Sequence, residues 1–159
     1  MQLDNRTSLP TLRLAELMAR AVDGRSAHDR LVVRVSYTRH DCRQSWTGVY
    51  RHGGPIRVSI NKRNRYPLVE RLASGIYVDR RREVIGPNLV RDTWQQLAHR
   101  VQVPSGEYLA LLGFLHEYSH FLDFGAGRRM RFRQTQADRF AYEALRARFP
   151  EVRVEAARA

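Results

Sequence analysis

The segment from Gly106 to Asp123, GEYLALLGFLHEYSHFLD, constrains the fold more than any other part of the chain. Its apolar residues surround a helix on nearly every side instead of forming one stripe. A helix with this pattern is buried, so the rest of the chain has to enclose it. Ser105 suits the N-cap position, and Gly125 is placed to end the helix.

The remaining chain predicts an α+β fold. Residues 9–22 have leucine and alanine at helical spacing, which predicts an N-terminal helix. Residues 31–39 and 45–63 alternate β-branched and polar residues and predict a small mixed or antiparallel sheet. Residues 88–101 have apolar residues on one helical stripe and predict another helix, and residues 135–149 predict a last, C-terminal helix.

Composition sets the broad class of protein. A chain of 159 residues with 43% hydrophobic and 28% charged residues predicts one globular domain, residues 1–150, followed by a flexible tail, residues 151–159. No apolar run is long enough to cross a membrane, and the N-terminal residues lack a signal-peptide pattern, so we expect a cytoplasmic protein without membrane contact. Cys42 is the sole cysteine, so any metal must be bound by histidine and carboxylate.

The net charge of +12 comes almost entirely from arginine. Such a surplus attracts polyanions, and nucleic acid is therefore a possible partner. An arginine-rich composition is also typical of a solvated surface that keeps a protein soluble. No helix-turn-helix, zinc-finger or aromatic RNA-binding pattern accompanies the arginines, which argues against sequence-specific recognition of DNA. The oligomeric state has no signal in the sequence.

Two histidines and a glutamate interrupt the apolar helix. Residues four apart share one face of a helix, so His116 and His120 present their imidazoles side by side, which suits a zinc ion, Zn²⁺. Glu117 can reach a metal-bound water without taking a ligand position, and there it can accept a proton as catalytic base. A histidine in an apolar helix is more often a satisfied core residue, but burying all three groups without a metal would be costly.

The motif HEYSH (116–120) resembles the zincin metallopeptidases. In their gluzincin branch, which includes HtpX-type peptidases and the ImmA/IrrE family of bacterial and mobile-element regulators, the next helix carries a pattern close to Glu-x-x-Ala-Asp/Asn-x-Phe-Ala. This chain has QTQADRFA (134–141). The resemblance implies a minimal zincin-like domain and a zinc metallopeptidase of phage or mobile-element type that hydrolyses protein or peptide substrates. It also implies a mixed sheet whose edge strand binds extended peptide, and IRVSIN (56–61) has a similar place in the order.

The third metal ligand is open. The ligand glutamate of the family falls on Gln134, and the family position makes Asp138 a residue that holds a histidine by a hydrogen bond. Gln134 and Asp138 are four apart and share a helix face, so either can point at the histidines. Metal chemistry favours Asp138 as the ligand, because a carboxylate binds zinc far better than a neutral amide does. A site without a third protein ligand is the remaining alternative.

Further residues are candidates with a weaker signal. Asp123 could support one of the histidines, although an exposed polar residue at a helix end is the commoner situation. Tyr142, one turn beyond Asp138, could stabilise a transition state, although it is more often a core tyrosine. Four arginines between the last two helices would border the cleft and could bind nucleic acid or an acidic partner: Arg128, Arg129, Arg131 and Arg133.

Two functions follow from these patterns. The first is a zinc metallopeptidase in which Glu117 activates a zinc-bound water. The alternative is a degenerate, non-catalytic domain of the same fold whose basic surface binds nucleic acid or a partner protein, and Gln134 motivates it because an amide at the ligand position weakens zinc binding.

Overall fold

The computed structural model describes residues 1–22, 31–39, 42–51, 53–128 and 133–158. Within these ranges the protein is an α+β fold, as the sequence predicts. The elements in chain order are β1 (Gln2–Asn5), α1 (Thr11–Val22), β2 (Val32–Tyr37), β3 (Trp46–Val49), β4 (Ile56–Ile60), β5 (Leu68–Gly86), β6 (Leu89–Val103), α2 (Gly106–Gly125), α3 (Gln134–Arg148) and β7 (Arg153–Arg158). No helix in the described ranges combines the length and the apolar character needed to cross a bilayer.

The first sheet is mixed and has the strand order β1-β2-β4-β3. Strands β1, β2 and β4 are parallel, and β3 is antiparallel to β4. The prediction of strands in residues 31–39 and 45–63 is confirmed, but IRVSIN forms the interior strand β4 and not the edge. The edge is β3, because the turn around Gly53, whose φ is +68°, folds β3 back beside β4.

The second sheet is antiparallel, with the order β5-β6-β7. Residues 88–101, predicted as a helix, lie in strand β6, so that prediction is wrong. Pro87 and Asn88 connect β5 to β6 as a hairpin in which Gly86 pairs with Leu89. Pairing with a long neighbouring strand outweighs the local helical spacing, and Val101 and Val103 are buried with the period of two typical of a strand.

The C-terminal segment also differs from its prediction. Residues 151–159 were predicted as a flexible tail, but Arg153–Arg158 form β7, which pairs antiparallel with β6. Val154 lies opposite Val101 in this register and packs against the core. The tail is ordered because the neighbouring strand satisfies its backbone groups, a partner that the local sequence does not reveal.

Helix α2 lies at the centre of the molecule and packs against β3, β4, α1 and α3. It begins after Ser105, as predicted, and fourteen of its residues are buried. Gly125 is still helical, and the chain turns out of the helix at Gly127, whose φ is +68°. The expectation that Gly125 ends the helix is therefore off by two positions, and Gly127 supplies the left-handed conformation that ends many helices.

Helix α2 approaches the first sheet most closely at Gly113. A Cβ atom built on Gly113 would lie 2.8 Å from Cγ1 of Val58 and 2.9 Å from Cε3 of Trp46. Both distances are shorter than carbon atoms tolerate, so any side chain here would push the helix off the sheet. Glycine at this position sets the depth at which the helix lies under β3 and β4.

We expect Gly113→Ala to lower the free energy of unfolding by about 1–3 kcal/mol, the typical result of overpacking a core. Gly125→Ala is the matched control, because a Cβ there meets nothing within 4 Å. The control should be neutral or stabilising by up to about 1 kcal/mol, since alanine is the better helix former. Urea unfolding of both variants measures the difference, and equal stabilities would contradict the close approach.

Candidate functional site

The two histidines of α2 lie together in the buried part of the helix. His116 and His120 are 7% and 4% exposed, and their ring centroids are 5.2 Å apart. Their planes are inclined by 75°. The arrangement of two imidazoles on one helix face, expected from their spacing, is present in the structure.

Helix α3 supplies a hydrogen bond to each nitrogen of the His116 ring. Nδ1 donates to Oδ1 of Asp138 at 2.8 Å, and Nε2 lies 2.7 Å from Oε1 of Gln134. The other oxygen of Asp138 accepts the backbone N–H of Ala73 at 3.0 Å. Both oxygens of Asp138 therefore have a hydrogen-bond partner, and its carboxylate binds the His116 ring at Nδ1, which leaves Nε2 to Gln134.

This geometry bears on the choice of a third ligand. It matches the alternative in which Asp138 orients a histidine, and it gives no support to direct ligation by Asp138. Gln134 lies at the rim of the site with its amide oxygen against the nitrogen that faces the cleft. Burial alone would lower the pKa of His116, but the hydrogen bond and the charge of Asp138, together with Glu117, raise it.

His120 has the opposite environment. Neither of its ring nitrogens has a hydrogen-bond partner with good geometry among the described residues, and the side chain of Gln134 lies near the ring. Burial and the neighbouring His116 lower the pKa of His120 and favour the neutral ring. A buried imidazole without partners is costly, and a metal is one ligand that would satisfy it.

Glu117 points from α2 towards the edge strand β3. It is 5% exposed, and burial raises the pKa of its carboxyl, an effect that His116 and the backbone N–H of Tyr50 oppose. Space for it comes from Gly48, where a Cβ atom would lie 2.5 Å from the Oε1 atom of Glu117. Gly48 is therefore required for the carboxylate to lie beside β3.

The donors around the histidine pair are few. No group of three His, Cys, Asp or Glu side chains converges on one point within the described ranges. The available donors are Nε2 of His116, a nitrogen of His120 and Oε1 of Gln134. Nitrogen and oxygen donors of this kind suit zinc, but the amide makes the set weaker than one with a third carboxylate. The residues fit a zinc ion that is held loosely.

An open cleft of about 410 Å³ lies beside these groups. It is lined by residues of β3, β5, α2 and α3 and the loop before β3: Gln44, Trp46, Thr47, Gly48, Glu70, His116, Glu117 and Gln134. A second, adjoining opening is lined by His120, Glu117 and Gln134, among other residues. The cleft thus gives a ligand access to both histidines and to the carboxylate between them.

Glu70 is a site residue that the sequence reasoning missed. Its carboxylate accepts hydrogen bonds from the hydroxyl of Ser45 and the side chain of Trp46, and burial raises its pKa despite both bonds. A signal was present in the sequence, since Glu70 occupies an alternate position between Leu68 and Leu72. A carboxylate at an inward position of a strand is unusual unless it has a partner or a function.

The candidates at the end of α2 form a separate cluster. Asp123, expected to be exposed, is 8% exposed and pairs with Arg133 at 3.1 Å and Arg128 at 3.4 Å. It makes no hydrogen bond to His120, whose nitrogens have no described partner. Two of the four candidate arginines are thus engaged in holding the end of the helix, and Arg129 and Arg131 lie outside the described residues.

Tyr142 does not line the cleft. Its ring stacks on His99 of β6 with the centroids 3.9 Å apart and the planes inclined by 16°. It is 4% exposed and joins α3 to the second sheet. The commoner role, a core tyrosine, describes its position.

Comparison of the chain with family models, with curated proteins and with solved structures finds no match.

We expect Asp138→Ala to reduce zinc affinity by about ten- to a hundredfold, because the hydrogen bond that orients His116 is lost while its Nε2 remains. Competition with a zinc-binding dye measures the affinity. Glu143→Gln on the exposed face of α3 is the control and should leave it unchanged. Complete loss of zinc binding would instead assign Asp138 as a direct ligand.

A second prediction concerns Glu70 and pH. Burial raises the folded-state pKa of Glu70 above its unfolded-state value. The contribution of Glu70 to stability therefore falls as the pH rises from the unfolded-state pKa to the folded-state pKa. Glu70→Gln keeps an acceptor for Ser45 and removes the charge. The variant should therefore gain stability relative to wild type as the pH rises from 4 to 7. Thermal unfolding at a series of pH values measures this, and a constant difference would contradict it.

Proposed function

We propose that the protein is a zinc-dependent peptide hydrolase in which Glu117 is the general base. The observation that carries the proposal is the buried set of His116, Glu117 and His120 at an open cleft, with both nitrogens of His120 lacking a described partner. Structural histidines are expected to be satisfied by the protein itself. An unsatisfied, buried imidazole beside a carboxylate supports a metal-dependent reaction.

The metal would be held by His116 and His120, with the amide oxygen of Gln134 as a third donor. A bound zinc supplies a water of lowered pKa and polarises a carbonyl. Asp138 keeps the His116 ring in the orientation that directs Nε2 to the cleft. This supporting contact is of the kind that fixes histidine ligands in metal sites.

Glu117 receives the proton in this proposal. Its carboxylate lies beside the histidines in the cleft, and its pKa is raised by burial, which makes it a stronger base than an exposed glutamate. The N–H of Tyr50 and the close contact with Gly48 fix its position. A fixed carboxylate at this depth can carry a proton to the amine that leaves from a cleaved peptide.

The substrate would bind as an extended peptide along β3. This strand pairs with β4 on one side, and no described strand of the sheet pairs with its other side. Thr47 and Gly48 of β3 line the cleft next to Glu117. An open strand edge binds an extended segment through backbone hydrogen bonds, which would place a peptide bond over the catalytic carboxylate.

The neutral amide of Gln134 favours a second candidate function. Because no three acidic, histidine or cysteine side chains converge in the described ranges, zinc affinity is expected to be modest. A domain that has lost catalysis and binds nucleic acid through its net charge of +12 fits the same residues. Retention on DNA that falls steeply with salt, together with no peptide turnover, would favour this function.

Glu117→Gln should retain zinc and lower peptide hydrolysis by at least about a hundredfold, since it removes the base and leaves both imidazoles. Zinc content by atomic absorption and turnover of a fluorogenic peptide library measure the two effects. The control is the double variant His116→Ala/His120→Ala, which should lose both zinc and activity. Unchanged hydrolysis by Glu117→Gln would exclude the proposed role.

Gln134→Glu should tighten zinc binding and raise hydrolysis, because a carboxylate replaces an amide beside Nε2 of His116. The neighbouring exposed change Gln136→Glu adds the same charge to α3 as a control. Dye competition and peptide turnover are the measurements. If both variants have wild-type zinc affinity, Gln134 does not contribute to the metal site.

A further inference from the structure

Glu70 occupies an inward position of a strand that is otherwise apolar on that face. Leu68 and Leu72 on either side of it pack into the core, whereas Val69 and Arg71 face outward and are exposed. Glu70 differs from its neighbours because it opens into the cleft that also contains Glu117. Its side chain is therefore directed at the place where a peptide would bind.

Two donors hold the carboxylate of Glu70. The hydroxyl of Ser45 and the side chain of Trp46, both next to or within the edge strand, donate to it. Ser45 is fixed in turn, since its carbonyl oxygen accepts bonds from Asn61 and Asn64. A carboxylate accepts about four hydrogen bonds, so capacity remains for a donor from a ligand.

The described lining of the cleft lacks the arginines that give the chain its net charge. Its described lining includes two carboxylates, Glu70 and Glu117, and contains no lysine or arginine, although the chain has a net charge of +12. The buried, unpartnered nitrogens of His120 at the adjoining opening indicate independently that this cleft takes a ligand. A ligand in the cleft would contact the carboxylate of Glu70, which Ser45 and Trp46 hold in place.

We infer that Glu70 binds a cationic group of the peptide, so that the cleft selects substrates with lysine or arginine; this rests on the proposed function. The indole of Trp46 lines the same cleft and offers apolar surface for the methylene groups of a long basic side chain. A free α-amino group presents the same chemistry to Glu70. The two sources are distinguished by blocking the peptide terminus.

The test measures binding to the Glu117→Gln protein, which does not consume the probe. Three amidated pentapeptides are compared by calorimetry: acetyl-AAKAA, acetyl-AAQAA and AAQAA with a free amino terminus. A charge-assisted hydrogen bond should make acetyl-AAKAA bind about tenfold or more tightly than acetyl-AAQAA. Tighter binding of the free-terminus peptide alone would identify the α-amino group as the cation that Glu70 binds.

Adding Glu70→Gln to the Glu117→Gln protein should bring the affinities of the three peptides to within about twofold of one another. The control is Glu16→Gln, which removes an exposed charge on α1 and should leave the preference for the cationic peptide intact. If Glu70 only anchors β3, its loss will shift the melting temperature and preserve the preference, which would overturn the inference. Hydrolysis of basic and neutral peptides at equal efficiency by wild type would also overturn it. Cation-selective binding without any hydrolysis would support Glu70 and reject the peptidase.

Discussion

Helix α2 is buried along most of its length, and three ionisable groups lie in that buried part. A helix in this position leaves its polar side chains dependent on the elements packed around it, because little of their surface contacts water. The neighbours meet that demand in different ways. Helix α3 brings Asp138 and Gln134 to His116. Tyr50, the residue after the edge strand β3, directs its N–H to Glu117, and His120 receives no described partner.

The contrast between the two histidines organises the site. His116 has an acceptor on each ring nitrogen, whereas His120 has none among the described residues and is kept neutral by its surroundings. Two glycines make this arrangement possible, since Gly113 lets α2 lie against the sheet and Gly48 leaves space for Glu117. The cleft lies along β3, and the carboxylate of Glu70 lines it together with His116 and Glu117.

Local pattern was sufficient for much of this architecture. The three helices, the hairpin of β3 and β4 and the pairing of His116 with His120 follow from spacing, because helical periodicity does not depend on distant partners. Three failures share one cause. Strand β6 pairs with β5 on one side and with the C-terminal strand β7 on the other, and Glu70 reaches the cleft through that same sheet. Such pairings are decided by tertiary contacts, which override local propensity.

In the proposed function, His116 and His120 together bind a zinc ion beside Glu117. The most direct measurement is a crystal structure of the zinc-soaked protein with anomalous data collected at the zinc edge. One strong peak is expected within about 2.1 Å of a nitrogen of each histidine, with Asp138 still bonded to Nδ1 of His116. Two observations together would contradict zinc binding: the map has no peak at the histidine pair, and His120 forms a hydrogen bond to another side chain.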